Sequence, residues 1–253
     1  MSDATRFAGR TAVITGAASG MGRATALRIG AEGGHVISVD IANDGGAATV
    51  AEIIASGGSA TAIACDVGLP AEVEVAIATA FAVNGRIDTL INCAGTGFYG
   101  HFPDVTPAQV DRVMAVNFGG TFWSCRYAID ALVESKGSIV NIASAAGVRG
   151  TAYLATYSAS KGAVISLTRT LAIEYGHLGV RANSVCPGAV ETPLLRLFPP
   201  PDDALRHLMN RGANVIGRRS TPDEMAGTIA FLASDDASQI TGATIAADAG
   251  STA

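Results

Sequence analysis

Short apolar runs alternate along the chain with longer stretches of helical periodicity. The runs are rich in β-branched residues and stop at glycine, aspartate or asparagine, which is typical of buried strands. They cover residues 11–15, 35–39, 61–65, 88–91 and 138–142. Helical stretches separate them, among others at residues 46–57, 70–83 and 156–175. The alternation predicts an α/β fold, doubly wound, with helices on both faces of a parallel sheet; because no repeat or linker interrupts residues 1–253, we predict a single domain.

A glycine-rich turn follows the first predicted strand. The segment GAASGMG, residues 16–22, joins that strand to a helical stretch that runs to Glu32. Its glycines permit a tight turn and close approach of the backbone, and a helix N-terminus offers free N–H groups and a positive dipole end. Strand, turn and helix in this order predict a cradle for dinucleotide phosphates, with the spacing GxxxGxG in place of the more common GxGxxG.

The second predicted strand ends at Asp40, a little over 20 residues beyond the turn. A carboxylate in that place accepts hydrogen bonds from the adenosine ribose hydroxyls and repels a 2′-phosphate. Neither flanking position, Ser19 or Ile41, carries a basic residue that would welcome such a phosphate. We therefore predict NAD as the cofactor in preference to NADP. The alternative is that Asp40 only caps a loop.

Tyr157 and Lys161 lie four residues apart in the helical stretch 156–175. Residues at this spacing project from one helix face, so the phenol and the ammonium could share a pocket. A nearby cation favours the phenolate, which would bring the tyrosine pKa closer to neutral and suit it to general acid–base catalysis. The same spacing also fits a surface face without chemistry, and only the upstream motifs favour the catalytic interpretation.

Composition narrows the possible partners. Charged residues make up only 15% of the chain and apolar residues 49%, which indicates that part of the surface is buried against other subunits. The net charge is -5 and the charged residues are dispersed, which excludes a basic stripe for binding nucleic acid. No apolar run is long enough to cross a membrane. Residues 1–10 lack a hydrophobic signal core, so we expect a cytoplasmic protein. The four widely spaced cysteines are expected to be reduced thiols, with no metal site.

The glycine turn and a second motif, NCAG at residues 92–95, together carry a family resemblance. The chain resembles the short-chain dehydrogenase/reductase family of classical type, from residue 9 to 250. The resemblance implies a Rossmann fold with a seven-stranded parallel sheet, whose last two strands fall at 179–185 and 240–245. It also implies a homotetramer with helices around 106–135 and 157–175 in the main interface. The family often ends its last strand in Asp-Gly-Gly, whereas this chain has DAG at 248–250.

The resemblance also assigns residue roles. It implies the catalytic residues Asn117, Ser144, Tyr157 and Lys161; Ser144 lies 13 residues before Tyr157, as the family requires. Ser158 and Ser160 are rival hydroxyls, but on a helix they point away from the Tyr157 face. The implied cofactor-binding residues are Gly16, Ser19, Gly20, Met21, Gly22, Asp40, Ile41, Asp66, Val67, Asn92, Ala94, Gly95, Tyr157, Lys161, Pro187, Gly188, Val190 and Thr192. The implied substrate contacts are Phe98, Ser144, Ala146, Tyr153, Leu194, Leu195 and Phe198.

Residues 193–215 are expected to form a lid over the substrate. The segment is apolar and contains three consecutive prolines, which cannot lie in a helix interior, so a shaped loop followed by a short helix is predicted. An apolar lid would exclude water from the reacting groups. The alternative is an ordinary loop of the subunit interface.

These features predict an NAD-dependent enzyme that interconverts a secondary alcohol and a ketone. The apolar lining favours an apolar or cyclic substrate, such as a hydroxysteroid, a terpene or an alicyclic alcohol. Arg149 and Arg196 are the only nearby cations that could hold a carboxylate or phosphate. Two alternatives stay open: an NADP-dependent carbonyl or 3-oxoacyl reductase, and a dinucleotide-binding sensor without catalysis.

Overall fold

A computed structural model describes residues 5–197, 199–209 and 214–253. Within them, seven parallel strands form one sheet with the order β3-β2-β1-β4-β5-β6-β7. The strands are β1 Thr11–Thr15, β2 His35–Asp40, β3 Ser59–Ala64, β4 Thr89–Asn92, β5 Ser138–Ile142, β6 Arg181–Pro187 and β7 Thr244–Ala247. The predicted fold class, a doubly wound parallel sheet of seven strands, is confirmed.

Helices follow the strands and cover both faces of the sheet. Among the described residues they are α1 Gly20–Ala31, α2 Asn43–Ala55, α3 Pro70–Asn84, α4 Pro107–Met114, α5 Gly120–Ser135, α6 Ala145–Val148, α7 Ala155–Tyr175, α8 Leu194–Leu197, α9 Arg206–Met209 and α10 Pro222–Ala233. A π-helical turn, Ala115–Gly119, joins α4 to α5. No helix in the described part of the chain is long and apolar enough to span a bilayer.

The two faces of the sheet are packed in separate apolar clusters. Helices α3, α5 and α7 bury their apolar side chains in one cluster, and α1, α2 and α10 bury theirs in the other. Strand β1 supplies both, because Val13 points into the first cluster while Ala12 and Ile14 point into the second. A strand that is buried on both faces has no polar alternation, which is why its three central residues are all apolar.

The strand order reverses direction beside β1. Strand β2 lies on one side of it and β4 on the other, so the chain segments that leave β1 and β4 diverge at the carboxyl edge of the sheet. Open parallel sheets bind their ligands in the crevice at such a point. The glycine turn after β1 and the 92–95 motif at the end of β4 both lie there.

Several predicted boundaries differ from the structure. Helix α2 begins at Asn43, before the predicted residue 46, with Asp44 placed in the first turn where it complements the helix dipole. Strand β7 begins at Thr244, later than the predicted residue 240, because Gly242 adopts a left-handed conformation with φ of +71° and bends the backbone before the strand. Strand β6 extends to Pro187, beyond the predicted residue 185.

Candidate active site

Two adjoining cavities open at the carboxyl edge of the sheet. The first has a volume of about 380 Å³ and the second about 300 Å³, and Tyr157 and Leu194 line both. The first cavity runs from the glycine turn to Lys161. Its lining residues are Gly16, Ser19, Gly20, Met21, Gly22, Asp40, Ile41, Cys65, Asp66, Val67, Cys93, Ala94, Gly95, Thr96, Arg112, Val116, Ile142, Ala143, Tyr157, Lys161, Thr192, Pro193 and Leu194.

The glycine turn at this cavity depends on its missing side chains. Gly16 has a φ of +71°, and a Cβ on it would lie 2.7 Å from the backbone nitrogen of Ala94. A Cβ on Gly22 would lie 2.1 Å from the carbonyl oxygen of Gly16, which the backbone could not accommodate. Helix α1 starts here with Ser19 as N-cap, and no side chain caps its first N–H groups. The turn therefore presents free backbone donors to an anionic group, as a phosphate cradle requires.

Asp40 lies at the rim of the same cavity, at the end of β2. Its two carboxylate oxygens accept hydrogen bonds from the backbone nitrogens of Ala18 and Ala42, both at 2.9 Å. These bonds fix the carboxylate between the glycine turn and the start of α2. Each oxygen keeps acceptor capacity for a hydroxyl donor. Glycine turn, uncapped helix start and fixed carboxylate together fit the phosphates and the adenosine ribose of a nicotinamide dinucleotide.

Arg112 was not among the residues that the sequence indicated. It projects from α4 into the first cavity, where a guanidinium nitrogen lies 2.9 Å from a carboxylate oxygen of Asp66. The other carboxylate oxygen of Asp66 accepts from the backbone nitrogen of Gly68 at 2.9 Å. No short motif marks Arg112, because its position depends on the packing of α4 against the loop after β3.

Tyr157 and Ser144 form the hydroxyl pair where the two cavities meet. The side chain of Ser144 lowers the pKa of the Tyr157 phenol as a hydrogen-bond partner, and it also caps α6 by accepting from the backbone nitrogen of Ala146 at 3.1 Å. Gly97 lies against the Tyr157 ring, since a Cβ there would be 2.9 Å from the ring atom Cδ2. The ring is therefore fixed on one face and its hydroxyl is held at the junction.

The pKa of Tyr157 is raised, which is opposite to the direction expected from the sequence. Burial is the main cause, and the hydrogen bond from Ser144 opposes it. The Lys161 ammonium lies 5.8 Å from the centroid of the Tyr157 ring and is not among the groups that shift the tyrosine pKa. Desolvation of the phenolate is therefore the dominant effect on the tyrosine pKa.

Lys161 is buried on the same helix, α7. Its ammonium donates to the carbonyl oxygen of Ile142 at 2.8 Å, and burial lowers its pKa to about 8. Thus the Lys161 group exchanges its proton in a mildly alkaline range that an exposed lysine does not reach.

Asn117 lies in the π-helical turn between α4 and α5 and is fully buried. Its side chain accepts from the backbone nitrogen of Thr96 at 2.8 Å and donates to the carbonyl oxygen of Thr96 at 2.9 Å. The same amide nitrogen donates to the Ser160 hydroxyl at 2.9 Å, and Ser160 donates to the carbonyl oxygen of Tyr157 at 2.7 Å. Ser160 thus connects Asn117 to the helix that carries Tyr157, a role that the sequence did not indicate.

The second cavity adjoins the hydroxyl pair. Its lining residues are Gly97, Phe98, Tyr99, Ser144, Ala145, Ala146, Arg149, Thr151, Leu154, Tyr157, Pro187, Gly188, Ala189, Leu194, Leu195, Met209, Asn214, Asp248 and Ser251. Five of the residues predicted to contact substrate are in this set: Phe98, Ser144, Ala146, Leu194 and Leu195. Tyr153 is not; its hydroxyl instead accepts from the backbone nitrogen of Leu205 at 3.0 Å. Phe198 lies outside the described residues.

Four residues predicted to bind cofactor lie apart from the first cavity. Pro187 and Gly188 line the second cavity. Asn92 is buried beneath the site, where its side-chain nitrogen donates to the side-chain oxygen of Asn141 at 2.8 Å. Val190 is buried, and its backbone forms an isolated bridge with Ser220. The remaining predicted cofactor residues all line the first cavity.

Comparison with known proteins gives consistent similarities. Residues 16–252 match the family model described as enoyl-(acyl carrier protein) reductase. The meso-2,3-butanediol dehydrogenase of Serratia marcescens is 39% identical over 98% of this chain and 96% of its own. The 2,5-dichloro-2,5-cyclohexadiene-1,4-diol dehydrogenase of Sphingobium indicum is 40% identical over 98% of both chains.

A solved structure of similar fold carries a cofactor. The crystal structure of a short chain dehydrogenase from Mycobacterium paratuberculosis bound to NAD superposes with a TM-score of 0.90, at 31% identity over 98% of this chain and 99% of that one. The sheet order, the glycine turn, the Ser144–Tyr157 pair and these similarities agree with one another. The chain belongs to the short-chain dehydrogenase/reductase family.

Proposed function

We propose that this protein oxidises a secondary alcohol to a ketone, reversibly, with NAD as cofactor. The observation that carries the proposal is the Ser144–Tyr157 hydroxyl pair, held beside buried Lys161 where the two cavities meet. The two diol dehydrogenases similar to this chain support a reaction at a CH–OH group. The second cavity, of about 300 Å³, is at the small end of the range of ligand sites and favours a compact, alicyclic or short-chain alcohol.

The first cavity would hold the dinucleotide. Backbone donors of the glycine turn would bind its phosphates, Asp40 would accept from the adenosine ribose, and Asp66 and Val67 would flank the adenine. Ala94, Gly95 and Thr192 line the part of the cavity that continues toward Tyr157 and Lys161. When bound, a nicotinamide dinucleotide supplies a hydride acceptor, which no side chain can provide.

Within the second cavity, the alcohol oxygen would lie between the hydroxyls of Ser144 and Tyr157. The Tyr157 phenolate would take the alcohol proton, and Ser144 would donate a hydrogen bond to the oxygen as its charge changes. Lys161, with a pKa of about 8, would then help to carry the proton away from the tyrosine, and Asn117 would hold the neighbouring segments in place through Thr96 and Ser160. Because burial raises the pKa of Tyr157, the phenolate forms at alkaline pH, and alcohol oxidation is expected to accelerate as the pH rises.

Asp40 favours NAD over NADP. Both of its oxygens are fixed by backbone donors, so the carboxylate could not turn away from a 2′-phosphate without losing two hydrogen bonds. The nearest alternative is an NADP-dependent carbonyl or 3-oxoacyl reductase, which would use the same hydroxyl pair.

We also propose a homotetramer in the cytoplasm. Ile173, on α7, has 82% of its surface exposed in the isolated chain, and Phe122 on α5 is also exposed, so both helices offer apolar contacts to a partner. All four cysteines, Cys65, Cys93, Cys125 and Cys186, are unpaired thiols, as expected in a reducing compartment.

Tyr157→Phe tests the proposed chemistry. Removal of the phenol is expected to lower kcat for alcohol oxidation by about 10³-fold or more, while the Kd for NADH, measured by fluorescence titration, stays within about twofold of wild type. Tyr175→Phe, at the other end of α7, serves as the matched control and is expected to retain full activity. Ordinary turnover by Tyr157→Phe would refute the assignment of the general base.

A further inference from the structure

The second cavity contains a phenol that the proposed mechanism does not use. Tyr99 lines this cavity together with Tyr157, and it is close enough to raise the Tyr157 pKa electrostatically. In the part of the chain that the structure describes, no group hydrogen-bonds the Tyr99 hydroxyl. Tyr99 is only partly buried, and its hydroxyl is open to the cavity. A ligand in the cavity could therefore accept a hydrogen bond from the Tyr99 hydroxyl.

The loop that carries Tyr99 is fixed on both sides of it. Two residues earlier, Gly97 packs against the Tyr157 ring, where a Cβ would approach to 2.9 Å. One residue later, the backbone nitrogen of Gly100 donates to the carbonyl oxygen of Tyr153 at 3.0 Å. The Tyr99 phenol is therefore held in a defined position relative to Tyr157, which a residue that selects substrates requires.

Burial keeps the Tyr99 hydroxyl protonated, so that it can donate a hydrogen bond. Burial raises the pKa of its phenol, opposed by the charge of Arg219, so the hydroxyl stays protonated and can donate a hydrogen bond. The two phenols differ in their partners: Tyr157 is paired with Ser144 and would exchange a proton with the reacting oxygen, whereas Tyr99 can donate a hydrogen bond that persists throughout the reaction.

We propose that the Tyr99 hydroxyl binds a second oxygen of the substrate, so that the protein acts on dioxygenated compounds: diols, hydroxyketones or diones. One oxygen lies between Ser144 and Tyr157, and the other accepts from Tyr99. This inference rests on the proposed function and narrows its substrate class. Leu194, Leu195 and Met209 give the cavity an apolar wall that suits the carbon skeleton between the two oxygens.

The test compares a diol with a monoalcohol of the same skeleton. Steady-state kcat/KM with NAD is measured for cis-1,2-cyclohexanediol and for cyclohexanol, in wild type and in Tyr99→Phe. In wild type the diol is expected to be the better substrate. The variant is expected to lose about tenfold in kcat/KM for the diol and less than about twofold for cyclohexanol, because a single hydrogen bond to the second oxygen is removed.

Tyr127→Phe, which removes a phenol of α5 that lines neither cavity, is the matched control and should leave both substrates unchanged. An equal loss for both substrates, or no loss for the diol, would overturn the role of Tyr99 while the turnover of cyclohexanol still upheld the proposed function. If wild type turned over neither compound nor any other secondary alcohol, the proposed function would fail, and this inference with it.

Discussion

Burial of Lys161 disfavours the charged form of its ammonium group. The folded chain lowers the pKa of its ammonium to about 8 from the ordinary value of 10.5. Between these two pH values the unfolded chain binds more protons than the folded one, so the contribution of this group to stability rises with pH. Below about pH 8 the lysine is charged in both states, and the folded protein bears the full cost of burying it.

Lys161→Met is therefore expected to stabilise the cofactor-free protein. Near pH 7 the free energy of unfolding should rise by roughly 1–2 kcal/mol, which allows for the lost hydrogen bond to Ile142. The gain should vanish as the pH approaches 10.5, the ordinary lysine pKa. Urea unfolding near pH 7 and near pH 10.5 measures the change in the free energy of unfolding. Lys136→Met, at an exposed lysine, is the control. A variant that is less stable than wild type near pH 7 would show that burial of the ammonium carries no net cost.

Asp40 is expected to govern the choice between the two dinucleotides. Asp40→Asn keeps the shape of the side chain and removes the charge that repels a 2′-phosphate, so the ratio of kcat/KM for NADP to that for NAD should rise by about tenfold. Asp44→Asn, in the first turn of α2, is the matched control and should leave the ratio as it is. Steady-state assays with both cofactors measure this ratio. An unchanged ratio in Asp40→Asn would show that Asp40 does not select the cofactor.

Residues that belong to motifs could be predicted from the sequence, and residues that act through packing could not. The turn after β1, Asp40 and the Tyr157–Lys161 pair have fixed spacings, and the structure brings all of them to the first cavity. Arg112 and Ser160 do not belong to a motif of fixed spacing. Packing places Arg112 at the site from α4, and Ser160 from the inner side of α7. The direction of the Tyr157 pKa shift was wrong for a related reason: the sequence indicates a neighbouring cation, but burial is a property of the folded chain.

Among the elements, the described part of the proposed lid segment, residues 193–215, contacts both the loop after β4 and the loop between α6 and α7. His101 forms an ion pair with Asp203 at 2.8 Å, and Leu205 donates to the Tyr153 hydroxyl at 3.0 Å. Tyr153 adopts a left-handed conformation, with φ of +64°, that directs its ring to the edge of His101. Asp203 raises the pKa of His101, so the ion pair exists at low pH and is lost as the pH rises through that raised value.

Weakening this ion pair is expected to loosen the lid. Asp203→Asn should raise the KM for the alcohol several-fold below the pKa of His101, with little change in the KM for NAD, because Leu194, Leu195 and Met209 of the same segment line the second cavity. Asp202→Asn, one position earlier in the chain, is the control. Equal effects of the two substitutions would show that the ion pair does not position the lid.

Element types could be predicted from periodicity, but the π-helical turn Ala115–Gly119 could not. Residues 106–135 have one continuous helical pattern, and the turn alters only the hydrogen-bond register around Asn117. Such single turns are frequent at functional sites, since they rotate a side chain away from the helix repeat. Strand boundaries near glycines were misplaced for a similar reason: a left-handed φ, as at Gly242, has no hydrophobic signature.

For the whole molecule, the exposed apolar surface of α7 bears on the proposed homotetramer. Ile173→Glu would bury a charge in the interface, and the solution mass measured by light scattering is expected to fall from four chains to two or one. Ile54→Glu, on α2 outside the proposed interface, changes an isoleucine that is also exposed and should leave the mass unchanged. A wild-type protein that scatters as a single chain of 25.5 kDa would contradict the proposed assembly.

The proposed cofactor and reaction are tested most directly by the formation of reduced nicotinamide. Absorbance is followed with wild-type protein, a panel of secondary alcohols and diols, and either NAD or NADP, at mildly alkaline pH. The account predicts turnover with NAD, much less with NADP, and rates that rise with pH as Tyr157 loses its proton. Turnover with NADP alone would contradict the role of Asp40, and NADH binding without turnover of any alcohol would contradict catalysis at the Ser144–Tyr157 pair.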